Sequence, residues 1–203
     1  MSDVRIDEVV DKLKESIAKG AQAYWVCPLI EESEVLHYTA AERRFEQLRA
    51  KLGEGVVELV HGKMSSETKD KIMDRFVSGN TKLLVATTVI EVGVNVPSAN
   101  IMVVENAEKF GLAQLHQLRG RVGRGSNQST CLLLYKEPLN ISSRKRLSIL
   151  RETEDGFKIS EVDLNLRGSG DAIGTAQSGL PRFRLANIDM IEMLMETAHQ
   201  QAR

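Results

Sequence analysis

The chain has 203 residues, enough for one well-filled core and an appendage. Hydrophobic residues make up 42% and charged residues 27%, which excludes a disordered tail. The net charge of −1 conceals a division: residues 109–151 carry nine basic side chains and one acidic, while both flanks are acidic. That window fits either one face meeting an anionic partner or charges spread over a solvated surface.

In chain order, Val9, Val10, Leu13 and Ile17 fall on one helical face, and Gly20 suits the helix end. Residues 23–29 form a short apolar run stopped by acidic residues. Residues 39–52 have helical spacing, with Ala41, Phe45, Leu48 and Leu52 along one side. Residues 56–60 are extended. Residues 66–77 predict a helix with Ile72, Met73 and Phe76 inward and Ser65 or Ser66 as its cap. Residues 83–86, 101–105 and 130–135 are further apolar strands. Short apolar strands alternating with helices predict an α/β fold, a mostly parallel sheet covered on both faces. Chemistry in such sheets gathers beyond the carboxyl ends of the strands. There stand His61-Gly62-Lys63, Thr87-Thr88 and Glu105-Asn106.

The pattern changes late in the chain. Residues 143–154 predict a helix with Leu147 and Leu150 inward, broken at Asp155-Gly156. Residues 160–167 predict a second helix, with Ser160 and Asp163 as a capping box. Together they make a helical hairpin. Residues 168–183, rich in Gly and Ser, read as a loop, and residues 188–202 as a last helix with Ile191, Leu194, Met195 and Ala198 on a face. The expected division is 1–141 for the α/β domain and 142–203 for hairpin, loop and final helix.

No apolar run approaches the ~18 residues that a membrane span needs. The charged N-terminus lacks an apolar signal region. Cys27 and Cys131, far apart, favour a reducing interior over a disulfide framework, so a cytoplasmic location is expected. The four histidines have no metal-ligand spacing, and no metal site is expected. Aromatic residues total 4%, too few for a broad base-stacking surface. Trp25 is expected in the core, and His116 in a structural role.

The strongest chemical signal is QLRGRVGR at 117–124. Its glycines let the backbone turn tightly. Arg121 and Arg124 present planar, permanently charged forks suited to an oxyanion. An arginine aimed at a phosphoryl group stabilises charge that grows in the transition state. Gln117 could orient a water or a phosphate oxygen. No GxxxxGK[S/T] phosphate loop occurs in the chain, nor an acidic pair following a strand as a magnesium site would require.

QLRGRVGR resembles motif VI of superfamily-two helicases and translocases. LVATTVIEVGVNVP at 84–97 is similar to their motif V. Residues 24–32 and LVHGKM at 59–64 resemble the motifs that precede these. Order and spacing match the second, C-terminal RecA-like motor domain. The hairpin, LNLRGSGD at 164–171 and GTAQSG at 174–179 resemble the translocation motif shared by the RecG and Mfd families. The likeness to the RecG family of branched-DNA translocases runs across nearly the whole chain, and Mfd is the alternative.

The resemblance implies an ATP-dependent DNA helicase of which this chain is half an engine. ATP and Mg would be held mainly by a first motor domain. Arg124 would be the finger reaching the γ-phosphate, with Arg121 beside it and Gln117 sensing phosphate or water. Gly93 would let the backbone approach the nucleotide. Asn95 stands where many members have an Asp that contacts the ribose. Thr87 or Thr88, with His61, Gly62 and Lys63, would touch the DNA backbone. Arg146, Arg167 and Gln177 match the translocation motif, although the residues alone favour Arg146 as part of a solvated Arg144-Lys145-Arg146 run. The implied partners are branched or double-stranded DNA and the N-terminal motor and wedge domains of the same protein, with no membrane. A non-enzymatic nucleic-acid-binding module is the competing reading, though it has no need of two arginines at this spacing.

Overall fold

The computed structural model describes residues 1–28, 34–87, 96, 98–122 and 129–170, with backbone alone at 34–39 and 167–170. Five strands form one parallel sheet: β1 (Gln22–Val26), β2 (Val57–Val60), β3 (Leu83–Ala86), β4 (Ala99–Val104) and β5 (Thr130–Leu133), in the spatial order β2-β3-β1-β4-β5. The helices are α1 (Ile6–Ala18), α2 (Glu34–Leu52), α3 (Ser66–Val77), α4 (Leu112–Arg119), α5 (Ile141–Glu152) and α6 (Gly156–Gly170). Two compact units divide the chain, Met1–Asp163 and Leu164–Arg203.

Strand alternation sorts the core into two layers. Trp25, Cys27, Leu83, Val85 and Val103 face Val9, Val10 and Leu13 of α1 and Ala41 and Leu48 of α2. Tyr24, Val26, Leu84, Met102 and Val104 face the opposite way. They pack on Ile72, Met73 and Phe76 of α3, Leu112, Leu115 and Leu118 of α4, and Leu150 of α5. Burial on both faces explains why the strands are near-continuous apolar runs. The α/β class and the parallel sheet expected from the sequence are what the chain forms.

Local signals set several boundaries. Gly20 takes φ +95° just past α1, a backbone conformation open to glycine without strain. Ser65 caps α3, its Oγ accepting from the Thr68 amide at 3.3 Å. α2 begins at Glu34, five residues earlier than expected. Asn140 caps α5 through the Ser143 amide at 2.7 Å.

The capping box expected at Ser160 and Asp163 is not formed. α6 starts at Gly156, and the Asp155 carboxylate caps it by accepting from the Phe157 amide at 2.9 Å. Ser160 lies inside the helix, where its hydroxyl donates to the Gly156 carbonyl at 2.8 Å. The error has a physical origin: Ser serves both as a cap and as a back-bonding helix residue. An Asp two residues before an exposed aromatic was the better cap. α6 also continues to Gly170, into the stretch expected to be loop. The final helix expected at 188–202 lies outside the described residues.

Candidate functional site

Two groups of predicted residues occupy different ends of the sheet. His61, Gly62 and Lys63 follow β2 at its carboxyl end and lead into α3. Gly62 and Lys63 are exposed, and His61 is half-buried. The His61 carbonyl accepts from the Met64 amide at 3.2 Å, and Lys69 of α3 donates its Nζ to the Gly62 carbonyl at 3.0 Å. Burial pushes the His61 imidazole below its ordinary value, with Lys69 and Lys63 acting in the same direction and Glu42 opposing. Three cationic or donor groups thus surround the start of a twelve-residue helix, whose free amides favour an anion.

Thr87 follows β3 at the same end. Its side chain is buried, and its hydroxyl has no hydrogen-bond partner among the described residues. Thr88 lies outside the described residues, as do Gly93 and Asn95.

Gln117 and Arg121 are not at this end. A helix joining adjacent parallel strands runs antiparallel to them, so α4 starts at the carboxyl ends and finishes toward the amino ends. Gln117 is exposed on α4, on the side away from Leu115 and Leu118. Arg121 follows α4 and is half-buried. Its charge reaches the Tyr24 hydroxyl beneath α3 and α4. Burial pushes that hydroxyl up to about 12, and the arginine opposes the rise. Arg124 lies outside the described residues.

Around β1 both faces of the sheet are covered by helices. The helix after β1 packs on one face and those after β2 and β4 on the other. At the carboxyl end, Arg44 of α2 makes a bidentate pair with Glu105, Nε to Oε2 and Nη2 to Oε1, both at 2.8 Å. Trp25 Nε1 donates to the same carboxylate at 2.9 Å, and the Arg44 guanidinium lies 5.7 Å from the Trp25 ring centre. Trp25 is thus core, as expected, with a polar partner that the sequence did not reveal. Burial pushes the Cys27 thiol far up, and Glu105 adds to the rise. Burial raises Cys131 to about 11. Both shifts disfavour the thiolate.

The central cationic window resolves into two populations. Arg144, Lys145 and Arg151 are exposed. Arg146 is turned inward. Its Nη1 donates to the Phe110 carbonyl at 3.0 Å, and its Nη2 donates to the Glu108 carbonyl at 3.1 Å and Ser143 Oγ at 2.9 Å. The solvated-run reading of Arg146 is overturned: the helix turns it toward the segment before α4, where main-chain carbonyls need donors. Arg119 is likewise bonded inward, to the Leu150 and Thr153 carbonyls. It stands within QLRGRVGR without an assigned role, yet Leu112 and Arg119 are seven residues apart and share a face of α4. His116, expected to be structural, meets Arg119 through Nδ1 at 3.1 Å. The Arg167 side chain and Gln177 lie outside the described residues. Among the described residues, no cluster of His, Cys, Asp and Glu is placed to hold a metal, and no helix is long and apolar enough to cross a membrane.

Residues 6–126 match the family described as helicase conserved C-terminal domain. The chain belongs to that family. Residues 153–203 match ATP-dependent DNA helicase RecG, domain 3, C-terminal. The chain is 52% identical over 195 residues to ATP-dependent DNA helicase RecG of Acidithiobacillus ferridurans, covering 96% of this chain and 28% of the relative. It is 48% identical to that of Escherichia coli strain K12 and 46% to that of Bacillus subtilis strain 168, covering 99% and 97% of this chain and 29% of each relative. It therefore spans under a third of the length of these relatives. The structure of RecG bound to a three-way DNA junction matches with a TM-score of 0.73 at 40% identity, over 97% of this chain and 25% of that one. The C-terminal domain of the DEAD-box protein Dbp5 matches with a TM-score of 0.50 at 19% identity, over 70% of this chain and 76% of that domain, which shows the fold alone. The likeness to RecG thus runs the full length of this RecA-like chain, in both sequence and fold.

Proposed function

We propose that this chain is the C-terminal half of an ATP-dependent motor that moves on double-stranded DNA and remodels branched DNA such as stalled forks. The observation that carries the reading is the sequence QLRGRVGR at 117–124, whose first three residues end α4 and whose Arg121, just beyond, is half-buried. A guanidinium there has its charge at all working pH values and a fork matched to phosphate oxygens. The described residues fit half of a nucleotide site. They supply cations to a phosphate and no lysine-and-amide cradle beneath it. A bound Mg-ATP would supply the phosphoanhydride whose hydrolysis drives the motor, held mainly by a first motor domain of the same protein.

Within this reading Arg124 is the finger and Arg121 its neighbour. Both stabilise negative charge that develops on the transferred phosphoryl. Gln117, exposed one turn back, orients water or phosphate. Gly93 lets the backbone come close to the nucleotide, and Asn95 contacts the ribose as an uncharged amide. His61, Gly62, Lys63 and Thr87 or Thr88 hold the DNA backbone at the carboxyl ends, reading no sequence. The hairpin of α5 and α6, with Arg146, Arg167 and Gln177, passes cleft closure to the DNA. Residues 1–141 form the motor domain and 142–203 the translocation motif. Branched DNA and the N-terminal motor and wedge domains are the partners, and the cytoplasm the location.

The test is Arg124→Ala in the complete polypeptide. Hydrolysis with saturating branched DNA is expected to fall by roughly 10³-fold while ATP affinity changes little. Unchanged hydrolysis overturns the finger assignment.

A further inference from the structure

β4 ends at Val104, and Glu105 and Asn106 follow it at the carboxyl edge of the sheet, where His61 and Thr87 also stand. The motor reading gives neither of the two a part. β1 and β4 are neighbours, yet the chain leaves β1 for α2 on one face and β4 for α4 on the other. Adjacent strands whose connections part to opposite faces mark the place where open α/β sheets take ligands, outside the strand carboxyl ends. Asn106 stands at that switch point.

Its backbone sets it apart. Among the described residues Asn106 is the one non-glycine with a left-handed backbone, at φ +49° and ψ +49°. Most side chains are strained there, whereas Asn and Gly tolerate it. The flanking residues lock the conformation. The Glu105 amide donates to the Val26 carbonyl at 2.8 Å, and the Ala107 amide donates to the Leu134 carbonyl at 2.7 Å. A glycine would satisfy such a turn. An asparagine adds a carboxamide, whose usual local use is to cap the helix that follows. Here the side chain makes no capping bond to the short helix it opens, Ala107–Lys109.

The surroundings select the ligand. A free Glu105 carboxylate would repel an anion, but this one accepts two bonds from Arg44 at 2.8 Å and one from Trp25 Nε1 at 2.9 Å. The Arg44 guanidinium is in turn engaged at Nε, Nη1 and Nη2 by Glu105 and Gln47. The tip of β4 therefore presents a neutral donor beside a paired carboxylate. That suits a singly charged phosphodiester rather than a triphosphate, which calls for cations. Neighbouring strands lie about 4.8 Å apart, so the tips of β2 and β4, three steps apart in the sheet, are separated by about 14 Å. That span is the axial rise of roughly four phosphates along one DNA strand, at about 3.4 Å each.

We propose that Asn106 is a DNA-binding residue, its carboxamide donating to a phosphodiester oxygen at the β1–β4 switch point and extending the row that His61, Gly62, Lys63 and Thr87 begin. This rests on the motor reading above. The contact is to the backbone and reads no sequence. It is also uncharged, so it releases no counterion.

The experiment measures binding of the complete polypeptide to a fluorescein-labelled three-way DNA junction by anisotropy, from about 50 to about 200 mM salt. Asn106→Gly keeps the left-handed backbone and removes the carboxamide. Its Kd is expected to rise about fivefold at every salt concentration, with the salt slope unchanged. Asn106→Asp also tolerates the backbone and sets a carboxylate against the phosphate. Its Kd is expected to rise further, and most at low salt, where repulsion is least screened. Lys63→Gln, by contrast, is expected to flatten the salt slope by about one unit. Both Asn106 variants binding as tightly as the parent overturns the proposal and leaves a turn residue. So does a loss of ATP affinity at unchanged DNA affinity, which would put the carboxamide on the nucleotide. Melting temperature is measured alongside. If Asn106→Gly does not fold, Asn106→Asp decides, and an affinity equal to the parent's at low salt counts against the contact. A parent whose DNA affinity is the same at all salt concentrations sinks the backbone-contact reading itself. A salt-dependent parent with Asn106 variants that bind equally well sinks only this inference.

Discussion

Arg144, Lys145 and Arg146 are consecutive cations, and their fates differ because a helix turns about 100° per residue. The first two point to water, and the third meets two carbonyls and a hydroxyl. His61 shows the same dependence on surroundings. Its imidazole is pushed below 6.5 by burial first and by neighbouring lysines next. The unfolded chain therefore binds that proton more tightly than the folded one. The stability this group contributes is complete above pH 6.5 and is lost as pH falls from 6.5 through the folded value. At neutral pH the His61 imidazole is therefore uncharged. An NMR titration of the imidazole is expected to give a midpoint below 6.5, and a midpoint above it would refute this account of its environment.

The element scale is where sequence patterns both succeed and mislead. α3 was legible to the residue: Ser65 caps it, and Ile72, Met73 and Phe76 are the buried stripe. Capping chemistry and 3.6-residue spacing agree there, so one answer survives. The sequence pattern put the cap of α6 at Ser160, and the folded backbone puts it at Asp155. Urea unfolding separates them. Asp155→Ala is expected to cost about 1 kcal/mol by leaving amides at the helix start without an acceptor. Ser160→Ala is expected to stay within about 0.5 kcal/mol, because its bond duplicates one the backbone already makes.

For the molecule as a whole, the division of labour follows from the absent phosphate loop. The 203-residue chain, purified alone, is expected to show ATP turnover no greater than a buffer blank, by a phosphate-release assay. Turnover by the chain alone would mean that it holds the nucleotide by a cradle of its own.

Short apolar runs, Gly20, Ser65 and QLRGRVGR were enough to establish the layered sheet, the limits of α3 and the family, because each is a local preference repeated or a motif contiguous in the chain. The directions of Arg119, Arg146 and Glu105 were not readable that way. Each is set by carbonyls or partners 31 to 61 residues distant in sequence, and a guanidinium goes wherever folding leaves acceptors unpaired.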